Sequence, residues 1–381
     1  MRILIVGGSG VTGSMIRSNL HAYDVDVWTA SRHRPREDRD RHFVMDVRRK
    51  PADAIEVMRR FDWIVNCTGP FEDLGDTVAK LSIQAASNYI DVNDSIDARR
   101  EIRRLDPDAR AVGVHVLTGF GLCPGLSTAL MMNAVDTELV APESVTGIRT
   151  DLVIGEKQVS GAAAIGSMFR TMHGDYRVLR HGVEATLDRA TASRPVEGAV
   201  ANDEAGANAD GRTALIGYEC PDIDVVTSLF PNLLGYEYRV AFEAIDDAMV
   251  TKLQQSRVFT LPVVSAALAR LAARGTARSA RATAGPEPST LTVSFDDSGV
   301  RSTVTGLSSY AITAVVPAVT LGALLETDTT ILDTGPGVIE VAQRPAMVPH
   351  ILRGVKDAGA TIDVLPAFDA PPVARGRATG A

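Results

Sequence analysis

Arg2-Ile-Leu-Ile-Val6, running directly into Gly7-Gly-Ser-Gly-Val-Thr-Gly13, decides the fold. Four consecutive apolar residues, Ile3 to Val6, predict a strand buried on both faces; the glycines predict a tight turn, and Met15, Ile16 and Leu20 a helix behind it. A second strand, Val25-Asp-Val-Trp-Thr-Ala30, completes a βαβ unit within about thirty residues. In that setting the glycines imply a dinucleotide cradle. Gly8 is expected to make the tight turn, Gly10 to let the backbone approach a pyrophosphate, and Gly13 to let the helix close onto the strand. Ser9, Val11 and Thr12 fill the rest of the loop, and the unpaired N–H groups of the helix start face the phosphates.

The end of the second strand indicates which dinucleotide. NAD-binding versions carry an acid there to accept from the ribose 2′-hydroxyl. This chain has Ser31 and Arg32, followed by His33 and Arg34. A carboxylate repels a 2′-phosphate, whereas a hydroxyl and a guanidinium hold one, the guanidinium bidentately. The expected cofactor is NADP(H), although Arg32 to Arg41 also reads as a solvated charge run.

A chain of 381 residues is long enough for two domains with cores of their own. Its net charge of −8 argues against a nucleic-acid partner, since phosphate-tracking surfaces are basic. With a strand starting at residue 2 and no apolar run long enough to span a bilayer, a cytoplasmic protein without membrane contact is expected. Three cysteines, Cys67, Cys123 and Cys220, give no disulfide framework, and seven histidines show no ligand spacing, so no metal is expected.

Beyond residue 60, strands are predicted over Asp62–Pro70, ending there in a turn, at Tyr89–Val92 and at Ala111–Leu117, with helices over 76–87 and 96–104 between them. This alternation is that of a doubly wound parallel sheet, an α/β fold of Rossmann type, whose ligands bind at the carboxyl ends of the strands. Cys67, Thr68, Gly69, Pro70 and Phe71 lie at one such end as cofactor contacts. Asp91 and the loop Gly119 to Gly125, with Phe120, Pro124 and Gly125, lie at others as substrate contacts. After about residue 140 the pattern turns to alternation at 144–154, 236–242 and 290–305, which predicts an α+β domain with a largely antiparallel sheet. Residues 190–211 and 275–289 read as surface loops, 311–325 and 345–359 as helices, and 366–381 as a disordered tail.

Several of these stretches together resemble the saccharopine dehydrogenase-like NADP-binding oxidoreductases: Gly7 to Gly13, Ala30-Ser-Arg32, Asp46-Val47, Val65 to Phe71, Tyr89 to Asp94, Gly119 to Ser127, Ser309 to Ala314 and Gly335 to Glu340. The resemblance implies a Rossmann domain over 1–130 and 310–365, completed by C-terminal helices, with an inserted α+β substrate and dimerisation domain over 131–309 and hence a homodimer. It also implies that Asp46 and Val47 lie beside the adenine and that Thr68, Gly69 and Pro70 border the nicotinamide. Family members act on C–N bonds of amino-acid conjugates, and others are similar to enoyl reductases acting in trans on polyketide-derived chains.

The small-molecule substrate therefore stays open between a C=N bond of an amino-acid or amine conjugate and a carrier-bound enoyl intermediate. No tyrosine is followed four residues later by lysine, which excludes the proton-donating pair of short-chain reductases. His173, Tyr176 and Tyr310 remain as candidate proton donors, and without one the chain would be a redox-sensing NADP(H)-binding regulator. On the cofactor reading, Arg32→Ala weakens NADPH binding by about ten- to a hundredfold, the loss of a charge-assisted contact, and leaves NADH binding nearly unchanged. Equal losses in nucleotide titrations would refute the assignment.

Overall fold

The computed structural model describes residues 1–35, 39–155, 158, 165–166, 168, 174–188, 215–243, 264, 267–275, 287–326 and 335–365. His173, the stretch 190–211, residues 276–286, most of Ser160–Ser167 and the tail 366–381 lie outside them.

The first half of the chain alternates as its hydrophobic pattern predicts: β1 (Arg2–Val6), α1 (Val11–Leu20), β2 (Asp26–Ser31), β3 (His42–Val44), α2 (Pro51–Met58), β4 (Trp63–Asn66), α3 (Phe71–Leu74), α4 (Thr77–Gln84), β5 (Asn88–Asp91), α5 (Ile96–Arg103), α6 (Asp106–Val112), β6 (His115–Leu117) and α7 (Leu126–Asp136). The strands form a wholly parallel sheet in the order β3-β2-β1-β4-β5-β6, the doubly wound arrangement. Alternate side chains of β1 enter separate cores, Ile3 and Ile5 one and Leu4 and Val6 the other, which is why the strand is apolar without interruption. Residues 111 and 112, expected in a strand, instead end α6. Gly113, at φ +81°, closes that helix, so the strand begins only at His115.

The second half supplies β7 (Gly147–Ile154), β8 (Asp175–Arg180), β9 (Val183–Asp188), β10 (Ile216–Tyr218), α8 (Asp222–Leu229), β11 (Gly235–Phe242), β12 (Thr290–Phe295) and β13 (Arg301–Thr305). The chain then continues through α9 (Ser309–Glu326), β14 (Gly337–Ile339), α10 (Val348–Asp357) and β15 (Thr361–Leu365). The second sheet runs β15-β13-β12-β7-β11-β8-β9, with β10 on β11. It is mixed rather than largely antiparallel at its centre, because β7 and β11 pair in parallel. The C-terminal segment divides between the two sheets. β14 joins β6 in parallel as a seventh strand of the first sheet, and α9 packs on α1. β15, however, pairs with β13, so residues 361–365 belong to the second sheet and not to the nucleotide-binding half where the family resemblance put them.

The two sheets are joined by one continuous apolar core and by charge. Arg99 of α5, with a side chain only 3% exposed, donates to Asp224 of α8 at 2.6 Å and to Glu340 after β14 at 2.7 Å. Burial by itself would raise the Asp224 carboxyl, but hydrogen bonds from Arg100 and the charge of Arg99 outweigh it and hold that group below its usual range. Asp97 of the same helix pairs with Arg177 of β8 at 2.7 Å. No helix among the described residues is long and apolar enough to cross a membrane, and no cluster among them has the make-up of a metal site.

The crossing of α1 over β1 and β4 depends on Gly13. A Cβ there would stand 2.5 Å from the Gly7 carbonyl oxygen, 2.7 Å from Gly8 Cα and 2.9 Å from the Cys67 sulfur. Gly13→Ala forces backbone apart and destabilises the protein by about 1–3 kcal/mol. Urea denaturation checks this, and an unchanged midpoint would show that the contact is looser than drawn.

Candidate functional site

A cleft of about 810 Å³ opens at the carboxyl edge of the first sheet, where the chain leaves β1 toward β2 on one side and β4 on the other. This is the switch point at which doubly wound sheets bind ligands, and the volume lies within the usual range for a ligand pocket. Ser9 and Gly10 line it from the turn after β1, Ser31 and Arg32 from the end of β2, Asp46 and Val47 from the loop after β3, and Cys67, Thr68, Gly69 and Pro70 from the turn after β4. Four loops far apart in sequence thus meet at one place.

The remaining cradle residues act behind this surface. Gly7 lines the cleft and is the residue with positive φ, +89°, so the sharp turn falls on Gly7 and not on Gly8 as the spacing predicts. Gly8 is required for a different reason: a Cβ there would lie 2.6 Å from the Thr29 side chain of β2. Val11 and Thr12 begin α1 half-buried, and Phe71 is buried at 6% exposure, so none of the three lines the cleft.

The chemistry of the lining suits a dinucleotide phosphate. The Thr68 hydroxyl is buried with no hydrogen-bond partner among the described residues, leaving a donor for a polar ligand group. Asp46 Oδ1 accepts from the backbone N–H groups of Arg48 and Arg49, each at 3.1 Å. The bond from Arg49 and then the neighbouring charges hold its carboxyl low. It therefore stays ionised and shapes the loop that carries two exposed arginines, both of which line the cleft. Arg48 reaches across to the Asp73 carbonyl. Together with Arg32, Arg48 and Arg49 make one end of the cleft cationic. Sequence reasoning missed them, although the run Arg48-Arg49-Lys50 was the available signal. Cys67 is no nucleophile: burial pushes its thiol up to about 12, and it donates to the Val6 carbonyl at 3.2 Å.

The expected substrate residues fare differently. Asp91 is fully buried and accepts from Tyr89 at 2.9 Å, Asn93 N at 3.1 Å, Gly119 N at 2.7 Å and Thr118 Oγ1 at 3.0 Å. Its carboxylate pins the loop after β6 to the end of β5 and has no face for a substrate. Phe120 is fully buried, and Pro124 and Gly125 lie in the same buried loop, where a Cβ on Gly125 would overlap the Gly121 carbonyl. The start of α7, just beyond this loop, is likewise engaged by the protein itself. Asp222 of α8, fully buried, accepts from the hydroxyls of Ser127 and Thr128, the latter at 2.6 Å.

Of the candidate proton donors, Tyr176 is 1% exposed inside the second sheet and donates to Glu237 at 3.0 Å. Tyr310 stands half-buried at the start of α9 and does not line the cleft, and His173 lies outside the described residues. Asp94 emerges in their place. It follows β5 by three residues and opens to solvent, yet the dense protein around it, then the charges of Glu72 and Asp91, push its carboxyl up to about 7. Glu72 stands two residues beyond the cleft-lining Pro70, and the Asp94 charge is felt at Tyr238 of the second sheet. Asp94 and Glu72 thus influence each other, and neither is among the residues that line the cleft. It was quoted in the sequence but carried no recognisable spacing.

No protein-family model matches the chain, and no curated protein sequence matches it. Among solved structures, apo saccharopine dehydrogenase (L-Glu forming) from Saccharomyces cerevisiae is similar with a TM-score of 0.60 at 13% identity, over 96% of this chain and 99% of that one. GenD2 from gentamicin A biosynthesis, in complex with NAD, aligns over 95% of this chain and 96% of its own at 14% identity and a TM-score of 0.41. A probable dehydrogenase from Thermotoga maritima aligns over 95% and 98% at 10% identity and 0.39. With 96% of this chain matched to 99% of the other at a TM-score of 0.60, this chain has the fold of saccharopine dehydrogenase.

Proposed function

We propose that this chain is an NADPH-dependent oxidoreductase that reduces a C=N bond of an amino-acid or amine conjugate. The observation that carries the nucleotide half is the glycine-walled cleft at the β1/β4 switch point, with Ser31, Arg32, Arg48 and Arg49 at one end. The Gly7–Gly10 turn and the start of α1 receive a pyrophosphate through backbone N–H groups, with no acidic side chain in the first turn of that helix to repel it. At the cationic end, guanidinium groups select a 2′-phosphate, and Asp46 is engaged in its own loop and does not reproduce the strand-end acid of NAD-binding sites. The nicotinamide, when bound, supplies a hydride to an sp² carbon.

The carboxyl pair favours nitrogen chemistry. Asp94 holds a proton near neutrality and, in this reading, gives it to the imine nitrogen. The carboxylate it becomes, together with Glu72, then faces the iminium cation and balances its charge. An enoyl thioester develops negative charge on oxygen instead, which two carboxylates disfavour. The likeness to saccharopine dehydrogenase, whose name places it in amino-acid metabolism, supports the same side.

Two measurements test this. NADPH absorbance followed against a panel of 2-oxo acid plus amine pairs and of enoyl thioesters is expected to fall only with the former. Turnover confined to the enoyl compounds would reverse the choice, and silence across the panel would favour a non-enzymatic NADP(H)-binding role. The rate of imine reduction is expected to decline as pH rises through about 7, where Asp94 loses its proton. Asp94→Asn should lower kcat by about 10²- to 10⁴-fold, the usual worth of a general acid, and remove that limb of the profile. A variant that keeps both rate and profile would exclude Asp94 as the donor.

A further inference from the structure

Behind the residues that line the arginine-bearing end of the cleft lies a buried histidine that does not line it. His42, the first residue of β3, is 6% exposed and pairs in register with Thr29 of β2. Its ring stands between two hydroxyls of that strand, with Nδ1 2.7 Å from Thr29 Oγ1 and Nε2 3.2 Å from Ser31 Oγ. Thr29 and Ser31 are two residues apart and so point to the same face of β2, which is how one imidazole spans both.

The protons in this row can be assigned by counting. Ser31 has one hydroxyl proton, and it goes to the His33 carbonyl at 2.7 Å. The contact between Ser31 and His42 therefore needs the ring as donor, which puts the proton on Nε2 and leaves Nδ1 to accept from Thr29, whose one hydroxyl proton takes the ring at 2.7 Å over the Arg41 carbonyl at 3.4 Å. A directed chain results, from Thr29 to His42 to Ser31 to the carbonyl of His33. Burial, which lowers the affinity of the ring for a second proton, suits this neutral tautomer. The chain is held at both ends. Thr29 is pressed by Gly8 of the phosphate turn, where a Cβ would stand 2.6 Å away, and the Ser31–His33 turn carries the exposed Arg32 at the cleft rim.

We infer that His42 is a positioning residue for cofactor choice: its ring ties Ser31 to Thr29 and so holds the Ser31–Arg32–His33 turn in the shape that presents Arg32 to a 2′-phosphate. This rests on the NADP(H) reading above. NADH has no 2′-phosphate and makes no demand on the turn, so loss of the tie acts on one nucleotide and spares the other. A histidine needed only for packing would affect both.

Dissociation constants for NADPH and NADH, measured by fluorescence titration on the full chain with the melting temperature recorded alongside, test the inference. His42→Asn keeps a polar group facing Thr29 but is too short to reach Ser31, and it is expected to weaken NADPH binding about tenfold, the worth of one supporting hydrogen bond, with NADH changed by less than about twofold. His42→Gln, whose amide N–H takes the place of Nε2–H, is expected to restore most of the preference. Parallel weakening of both nucleotides by His42→Asn, or an unchanged preference, would overturn the role of His42 and leave the NADP(H) reading intact. If the unaltered protein binds NADH as tightly as NADPH, the NADP(H) reading itself falls, and this inference with it.

Discussion

Everything at the cleft depends on the absence of side chains where the turn after β1 meets its neighbours. Gly13 lets α1 lie against Gly7 and Cys67, Gly8 lets the turn lie against Thr29, and Gly7 adopts a backbone angle that a side chain resists. Three separate contacts thus require glycine, each toward a different partner: the turn itself, β2 and β4. A single Cβ at any of them would push the turn away from one wall of the cleft. Phosphate binding by backbone N–H groups needs that turn held within a fraction of an ångström, and the close packing that excludes side chains is what holds it.

Buried charge performs the corresponding task between the two sheets. Arg99, nearly inaccessible, joins α5 to α8 and to the segment after β14, while Asp222 accepts from two hydroxyls at the start of α7. Such groups contribute little net stability compared with apolar substitutes, but removing one partner leaves the other desolvated and unpaired, which costs several kcal/mol. They fix how one sheet faces the other, and hence where Asp94 and Glu72 stand relative to the Gly69–Pro70 turn. Asp91 does the same within the first sheet, tying the ends of β5 and β6 together. Two positions that the sequence offers for ligand binding, the acid at the end of β5 and the loop before α7, are occupied by the protein's own hydrogen bonds.

Much of the nucleotide half was legible from residue types. Ten of the residues singled out there line the cleft, from Ser9 to Pro70. Eight of them were legible because they sit at or just beyond the end of an apolar strand, and the doubly wound topology brings such turns to one edge, whereas Asp46 and Val47 came only from the family resemblance. The substrate half was not legible in the same way. Asp91, Phe120 and Tyr176 are polar or aromatic residues of the right kind near strand ends, but sequence position does not distinguish a carboxylate that faces solvent from one saturated by four donors. The same limit hid Arg48 and Arg49, which follow a three-residue strand too short to announce a cleft wall.

By itself the sequence determined the βαβ unit, the doubly wound class, the place of the cleft and the basic character of the end of β2. These follow from hydrophobic period and turn chemistry within about thirty residues, where covalent connection leaves few alternatives. Only the tertiary structure decided that β15 joins the second sheet, that Asp222 fills the start of α7, that Asp94 stands beside Glu72, and that His42 links Thr29 to Ser31. Each of those joins residues whose local patterns are compatible with several neighbours. The choice among them is made by burial and hydrogen-bond satisfaction over the whole chain.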